Sequence, residues 1–436
     1  MKSRVVLCLL CCSLFCLAFL YLYANNRGRL SNTVFFGGDS WNYQGLAVNL
    51  ALGYGYREGG VAPFETYKFD PDRSKNRYDA LHYPVGEAPA TYYEYFTRGG
   101  RYLFYRTPGY PFFLAAVYKT FGIYPRTVKI IQIIFLALFA SSLPWIAHYY
   151  WGKTGILSGV LSSLFFLRYF CPDPTEIMSE SLIVFGLFLW VLFLIIWEKE
   201  PSLHRIFWLG VVSAAIVLIK GSNILIPPFF FLYLLLVFRN LKKAFLSAAA
   251  FLAGMLLLIA PWSAYATSKS GSFVLLSTHQ RTLLLDSNNE DCIQDGAWHP
   301  DWRKWKAGNT DYLYNRLKNP NASSWTKVFL FFAQNTEHLP KLFFNKLARA
   351  LPITTNRWIL LTLLGMVFHY INRLYFRNKT GKLAIFPILY FLNLLLITLI
   401  FYGSARLSQP FLAFFAVPAI HSVVWTAGHA IGKFRK

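Results

Sequence analysis

At 436 residues, of which 55% are apolar, 19% aromatic and only 14% charged, the chain has too few charges to cover its apolar surface as a water-soluble globule. A disordered chain, a fibrous repeat and a disulfide-stapled secreted domain are excluded as well. The 43 Lys and Arg exceed the 20 Asp and Glu by 23, but they cluster in short connectors between apolar runs, which points to membrane topology and anionic lipid rather than nucleic acid.

A membrane-spanning helix needs roughly 20 mostly apolar residues. Runs near that length occupy 5–23, 128–150, 154–171, 177–197, 205–219, 222–238, 244–264, 357–376, 383–402 and 407–428, ten in all. The first follows Lys2 and Arg4 like a signal peptide, yet no small-x-small cleavage site follows it, so an uncleaved anchor is expected. Its Cys8, Cys11, Cys12 and Cys16 read as small apolar residues or as lipidation sites.

Residues 107–122 are too short to span, and Pro108 and Pro111 open the stretch, so an interfacial helix is expected there. Counting it as a span would turn the basic connectors 239–243 and 373–382 outward, against the positive-inside rule. The expected fold is therefore an all-α membrane protein of about ten spanning helices with both termini cytoplasmic. Two long hydrophilic segments, 24–106 and 265–356, then fall on the extracytoplasmic side, where they are expected to pack together as a cap. The chain divides into an N-terminal transmembrane region 1–264, an extracytoplasmic loop domain 265–356 and C-terminal transmembrane helices 357–436. Cys171 and Cys292 fall outside the membrane in this scheme, which leaves a disulfide between them open.

Familiar catalytic motifs are missing. No Gly-x-x-x-x-Gly-Lys-Ser/Thr occurs, because Ala147 stands where Gly152-Lys153-Thr154 would need its first glycine. His-Glu-x-x-His, Gly-x-Ser-x-Gly and zinc-type Cys/His spacings are also absent. Asp70-Pro71-Asp72 has the Asp-x-Asp pattern of nucleotide-sugar enzymes but reads as a solvated turn.

Polar groups at the outer ends of the apolar runs stand out instead. Asp39 follows Gly37-Gly38 just beyond the first span, where it either caps a short helix or carries chemistry. Arg106 opens the interfacial segment, as a snorkelling anchor or as an anion ligand. Glu180 lies one turn inside a span, where an unpaired acid is costly. Lys220 sits in a tight outer hairpin and Arg406 begins the last span after Gly403-Ser404-Ala405. All five share one membrane face in the expected topology. If the bundle gathers them, the result is a cationic pocket with two carboxylates, suited to a phosphate headgroup with a lipid tail between helices.

At these residues the sequence resembles the integral-membrane glycosyltransferases of the C-type fold (GT-C), nearest the dolichyl-phosphate-mannose protein mannosyltransferase and lipid A aminoarabinose transferase group. Gly38-Asp39-Ser40-Trp41-Asn42-Tyr43 is similar to the acidic motif of that family's first outer loop. Arg106-Thr107-Pro108-Gly109-Tyr110-Pro111, Met178-Ser179-Glu180-Ser181, Pro261-Trp262 with Gly271 and Asn288-Asn289, and Arg406 with Pro410 resemble its later motifs in order. The resemblance implies a GT-C-like bundle whose two large outer loops carry short interfacial helices. It implies a polyprenyl-phosphate sugar as donor and an extracytoplasmic acceptor, which is a glycolipid, protein or polysaccharide. Asp39 would be the catalytic base; Tyr43, Arg106, Tyr110, Glu180, Lys220, Asn288, Asn289 and Arg406 would bind substrate. Neither metal nor other cofactor is expected, because the cations supply the charge, and no nucleic-acid partner is expected either. The expected location is a bacterial inner membrane; in an endoplasmic reticulum Asn321-Ala322-Ser323 would be a lumenal sequon. Rival classes are a transporter or flippase of lipid-linked or anionic solutes, which favours internal repeats and broken helices, and an O-antigen-ligase-like transferase.

Overall fold

A computed structural model describes residues 2–32, 38–57, 104–238, 240–297, 323–353, 356–376 and 384–434. In hydrocarbon each backbone N–H and C=O must find its partner within the segment, and the apolar runs accordingly become helices; no strand occurs among the described residues. The first run is α1 (Lys2–Asn26), followed by the short α2 (Gly38–Ala51). Next come α3 (Gly109–Phe121), α4 (Pro125–Phe165), α5 (Glu180–Lys199), α6 (Leu203–Ile219), α7 (Ile226–Val237) and α8 (Leu241–Ser270). The second loop carries α9 (His279–Asp286), α10 (Glu290–Asp295), α11 (Ser324–Gln334) and α12 (Leu339–Ala350). The chain closes with α13 (Arg357–Phe376), α14 (Phe386–Ile400) and α15 (Ala405–Phe434).

Among the described residues five helices, those of α1, α4, α5, α8 and α15, are long and apolar enough to cross a membrane, and α6, α13, α14 and the Gly221–Val237 stretch around α7 are shorter apolar helices. This is an all-α membrane protein. The longest apolar element, Pro125–Phe170, folds back on itself at Gly152, whose φ of 65° only a residue without Cβ adopts readily. Beyond the turn, Gly155 lies against Ala147 and Gly159 against Pro144 with no room for side chains, and the Ser163 hydroxyl donates to the Ala140 carbonyl at 2.6 Å. The expected runs 128–150 and 154–171 are thus two antiparallel arms zipped along a stripe of small residues. α6 and α8 use the same device reciprocally: Gly210 abuts the Phe251 carbonyl, and Gly254 abuts that of Phe207.

The packing gives the bundle two distinct ends. At one end the Lys129 ammonium donates to the carbonyls of Arg29 (3.3 Å) and Ser31 (3.0 Å), joining the exit of α1 to the start of α4. At the opposite end the hydroxyls of Tyr150 and Tyr233 donate to Glu198 at 3.3 and 3.0 Å. The described parts of the two loops meet at the first end, where the Thr278 N–H donates to the Phe104 carbonyl at 2.8 Å. The second loop has a small core of its own, Cys292, Ile293, Phe331 and Leu342. Neither Cys171 nor Cys292 is disulfide-bonded; the Cys292 thiol donates to the Asp286 carbonyl at 3.2 Å. Residues 58–103, with Asp70 and Asp72, and the sequon Asn321 lie outside the described residues.

Candidate functional site

Each ionisable group expected at the outer ends sits where a helix starts or stops. Asp39 lies in the first turn of α2, with Asn42 and Tyr43 one turn on, so the three share a helix side. Glu180 occupies the first turn of α5, where the helix dipole favours an acid, and Arg406 the first turn of α15. Lys220 ends α6, and its own backbone N–H caps the helix by donating to the Ile216 carbonyl. Arg106 precedes α3 in a tightly held loop. The Thr107 hydroxyl donates to the Ile219 carbonyl at 3.1 Å, Tyr56 donates to the Arg106 carbonyl at 2.7 Å, and Gly109 approaches Ile219 too closely for any side chain. Phe104, buried between Tyr56 and Trp262, carries a left-handed φ of 49°, a strain of about 1–3 kcal/mol spent two residues from Arg106.

These five groups form one chain of alternating charge. Arg106 Nη2 meets Asp39 Oδ1 at 2.6 Å, and Asp39 Oδ2 accepts from Arg406 Nη1 at 2.9 Å. Arg406 then gives Nε (2.9 Å) and Nη2 (2.7 Å) to Glu180 Oε1, which also takes Lys220 Nζ at 3.2 Å. Arg106 is further held by Asn42 Oδ1 at 2.9 Å and lies over the rings of Tyr43 and Tyr105. Accessibility peaks in the middle of the row: Arg406 is 44% exposed and Asp39 24%, against 14% for Arg106, 17% for Lys220 and 6% for Glu180. The cluster therefore opens to the outside at Asp39 and Arg406.

Burial by itself would raise the Asp39 carboxyl, but Arg106 and Arg406 outweigh it and hold the group ionised, below the usual carboxylate range. Burial, then Arg106, pushes the His279 imidazole down to about 3, so it is neutral within electrostatic reach of Asp39. Burial keeps the Tyr43 phenol protonated, pushed up to about 12. Several buried polar atoms at this end lack a hydrogen-bond partner among the described residues: Glu180 Oε2, Ser179 Oγ, Ser40 Oγ, Gln44 Nε2 and Asn223 Oδ1. Each such atom costs about 1–3 kcal/mol. Glu180 is the clearest, because Oε1 takes three cationic contacts while Oε2 takes none among the described residues. A hydroxyl-rich ligand is the kind of molecule that satisfies such atoms.

Of the residues expected to bind substrate, Arg106, Glu180, Lys220 and Arg406 converge on Asp39, and Tyr43 lies beside them. Tyr110 packs edge-on against Tyr43 at 4.9 Å, but it is fully buried and its hydroxyl donates to Gln132 Oε1 at 2.8 Å, so it supports the site rather than lining it. Asn288 and Asn289, also expected to bind substrate, make contacts with neighbouring segments. Asn288 donates to the carbonyls of Leu284 (2.7 Å) and Ile400 (2.8 Å) and accepts from Lys346 Nζ (2.7 Å), while the Asn289 side chain caps α10 by accepting from the Cys292 N–H. Both amides are buried and paired with other parts of the chain. Sequence reading missed His279, Lys346 and Tyr402. The His279 ring packs against Tyr105 at 4.0 Å, tilted by 45°, and Tyr402 lies within electrostatic reach of Asp39. A lone His in a polar loop and a Lys on an amphipathic helix carry no spacing signal. No protein family, curated protein or solved structure matches this chain.

Proposed function

We propose that the chain is an inverting membrane glycosyltransferase of the C-type fold that moves a sugar from a polyprenyl-phosphate donor to an extracytoplasmic acceptor. The observation that carries the reading is the row Arg106–Asp39–Arg406–Glu180–Lys220, drawn from five distant segments to one end of an apolar bundle. Three cations at headgroup level suit a phosphate, which Arg grips with two parallel N–H bonds, and grooves between helices suit the prenyl tail. In this reading the two arms of α4 join α1, α5, α6, α7, α8, α13, α14 and α15 as ten spans. The opposite end faces the cytoplasm of a bacterial inner membrane, because the short basic connectors lie there.

The reaction is one displacement. The acceptor oxygen attacks the anomeric carbon, its proton passes to Asp39, and the bond to the phosphate oxygen breaks with its electron pair leaving on the phosphate. Arg106, Arg406 and Lys220 stabilise that developing charge, so no metal has a task left to do. Glu180 anchors Arg406 through Oε1 and offers Oε2 to a sugar hydroxyl. Charges at helix ends favour this over the transporter reading, whose sites lie at mid-membrane between broken helices. The acceptor class stays open among glycolipid, protein and polysaccharide.

Asp39→Asn membranes supplied with a radiolabelled polyprenyl-phosphate sugar test the reading. Transfer is expected to fall by about 10²–10⁴, the range for loss of a general base. Undiminished transfer by folded Asp39→Asn protein removes Asp39 from the chemistry and the reading with it.

A further inference from the structure

Asp39 bridges two guanidiniums in the way a phosphate does. One carboxylate oxygen sits on Arg106 Nη2 at 2.6 Å and the other on Arg406 Nη1 at 2.9 Å. Each arginine is also held without Asp39. Glu180 grips Arg406 through Nε and Nη2, and Lys220 Nζ donates to the Arg406 carbonyl at 3.2 Å. Asn42 takes Arg106 Nη2, the Tyr43 and Tyr105 rings lie beneath its guanidinium, and Tyr56 fixes its carbonyl. The pair of cations is therefore a seat built independently of the anion that fills it.

We propose that Asp39 is the resident occupant of the donor's phosphate seat: a ligand phosphate takes Arg106 and Arg406 from it, and only that exchange turns Asp39 into a base. The proposal rests on the glycosyltransferase reading and adds an order of events to it. Two arginines holding a carboxylate make it a poor proton acceptor, since they favour its charged form. A phosphate oxygen on each arginine removes both contacts, and the charge brought in beside the released carboxylate raises its affinity for a proton. The seat can be entered, because Arg406 and Asp39 keep 44% and 24% of their side-chain surface exposed. In the empty enzyme the base is held silent, and a donor that has not seated its phosphate meets an inactive Asp39.

The exchange makes a prediction of opposite sign to a supporting role. If Asp39 competes with phosphate, its removal frees the seat, and affinity rises by the inverse of the fraction of time the seat stands open. Full-length protein in nanodiscs is titrated by calorimetry with inorganic phosphate and with farnesyl monophosphate, farnesol serving as the uncharged control. Asp39→Asn and Asp39→Ala are expected to bind both phosphates roughly tenfold more tightly than the natural protein, a seat about nine-tenths occupied by Asp39. Asp173→Asn removes the same charge from another arginine pair at this end, Arg29–Asp173 at 2.7 Å, and is expected to stay within about twofold. Unchanged or weaker binding by both Asp39 variants overturns the exchange while leaving the phosphate site standing, as does equal tightening by Asp173→Asn. Absence of saturable phosphate binding by every protein overturns the phosphate reading itself. A gain with farnesyl monophosphate much larger than with inorganic phosphate identifies the seat with a lipid headgroup; equal gains identify it with phosphate alone, and both support the exchange.

Discussion

Arg406 serves two carboxylates with one guanidinium, Nη1 on Asp39 and Nε with Nη2 on Glu180. The planar fork makes this possible, since its donors point along fixed, diverging directions. A lysine keeps the charge but offers a single ammonium, which reaches one carboxylate at a time. Arg406→Lys is therefore expected to retain the fold and to lose about 10²–10³ in transfer rate, the size of one misplaced electrostatic donor. Steady-state transfer with thermal melting alongside checks this, and a rate within about threefold of the natural protein would show that bridging is dispensable. The ionisable members of this row were legible in the sequence for a physical reason: an acid or base at the end of an apolar run must find a partner or remain costly. Which partner each one finds was not legible. Asp39 and Arg406 are 367 residues apart and Glu180 and Arg406 226, distances over which only the assembled bundle decides.

At the scale of elements, the turn that delivers Arg406 is set by the second loop. Lys346 of α12 is fully buried and donates to Asn288 Oδ1 at 2.7 Å and to the Leu399 carbonyl at 3.0 Å. Gly403 packs against the Lys346 carbonyl, and its N–H donates to the Gly296 carbonyl at 3.3 Å. The amide of Asn288 and the Leu399 carbonyl are both neutral acceptors, and burial pulls the ammonium's pKa from 10.5 down to about 7. The folded value lies below the unfolded one, so between about pH 7 and 10.5 the unfolded chain binds more protons and stability rises with pH. The slope from this group is at most about 1.4 kcal/mol per pH unit and vanishes below pH 7, where both states are charged. Lys346→Met is expected to flatten that slope, standing relatively better at pH 7 than at pH 9.5 in melting experiments. Parallel pH profiles of variant and natural protein would mean that Lys346 does not titrate in this window. The apolar helices were legible because length and hydropathy suffice in lipid, and the reversal at Gly152 was visible from Lys153 interrupting two apolar runs. The clamp around Asn288 and Lys346 was not, because an amide that caps a helix and one that binds a ligand look alike in sequence.

For the whole molecule, every functional statement depends on which face of the membrane carries the charged row. α8 offers the cleanest ruler. It runs over 30 residues from Leu241 to Ser270, about 45 Å, which exceeds the roughly 30 Å of a bilayer's hydrocarbon core. It is one of the ten proposed spans, so its ends emerge on opposite faces. Lys242 is exposed near its start, and Ser272 is exposed just beyond its end, shortly before the Thr278–Phe104 contact that adjoins Arg106. Charge sets the direction. Short connectors govern orientation while long loops cross largely regardless of their charge, so in the proposed reading Lys242 and Lys243, in the first turn of α8, outweigh the basic residues of the two large loops. With the six cysteines replaced, a Ser272→Cys chain is expected to react with a membrane-impermeant maleimide in intact cells. A Lys242→Cys chain is expected to react only once the membrane is permeabilised. The reverse pattern would set Asp39 and Arg406 against the cytoplasm, where the acceptors proposed here do not lie, and the row would need a different ligand.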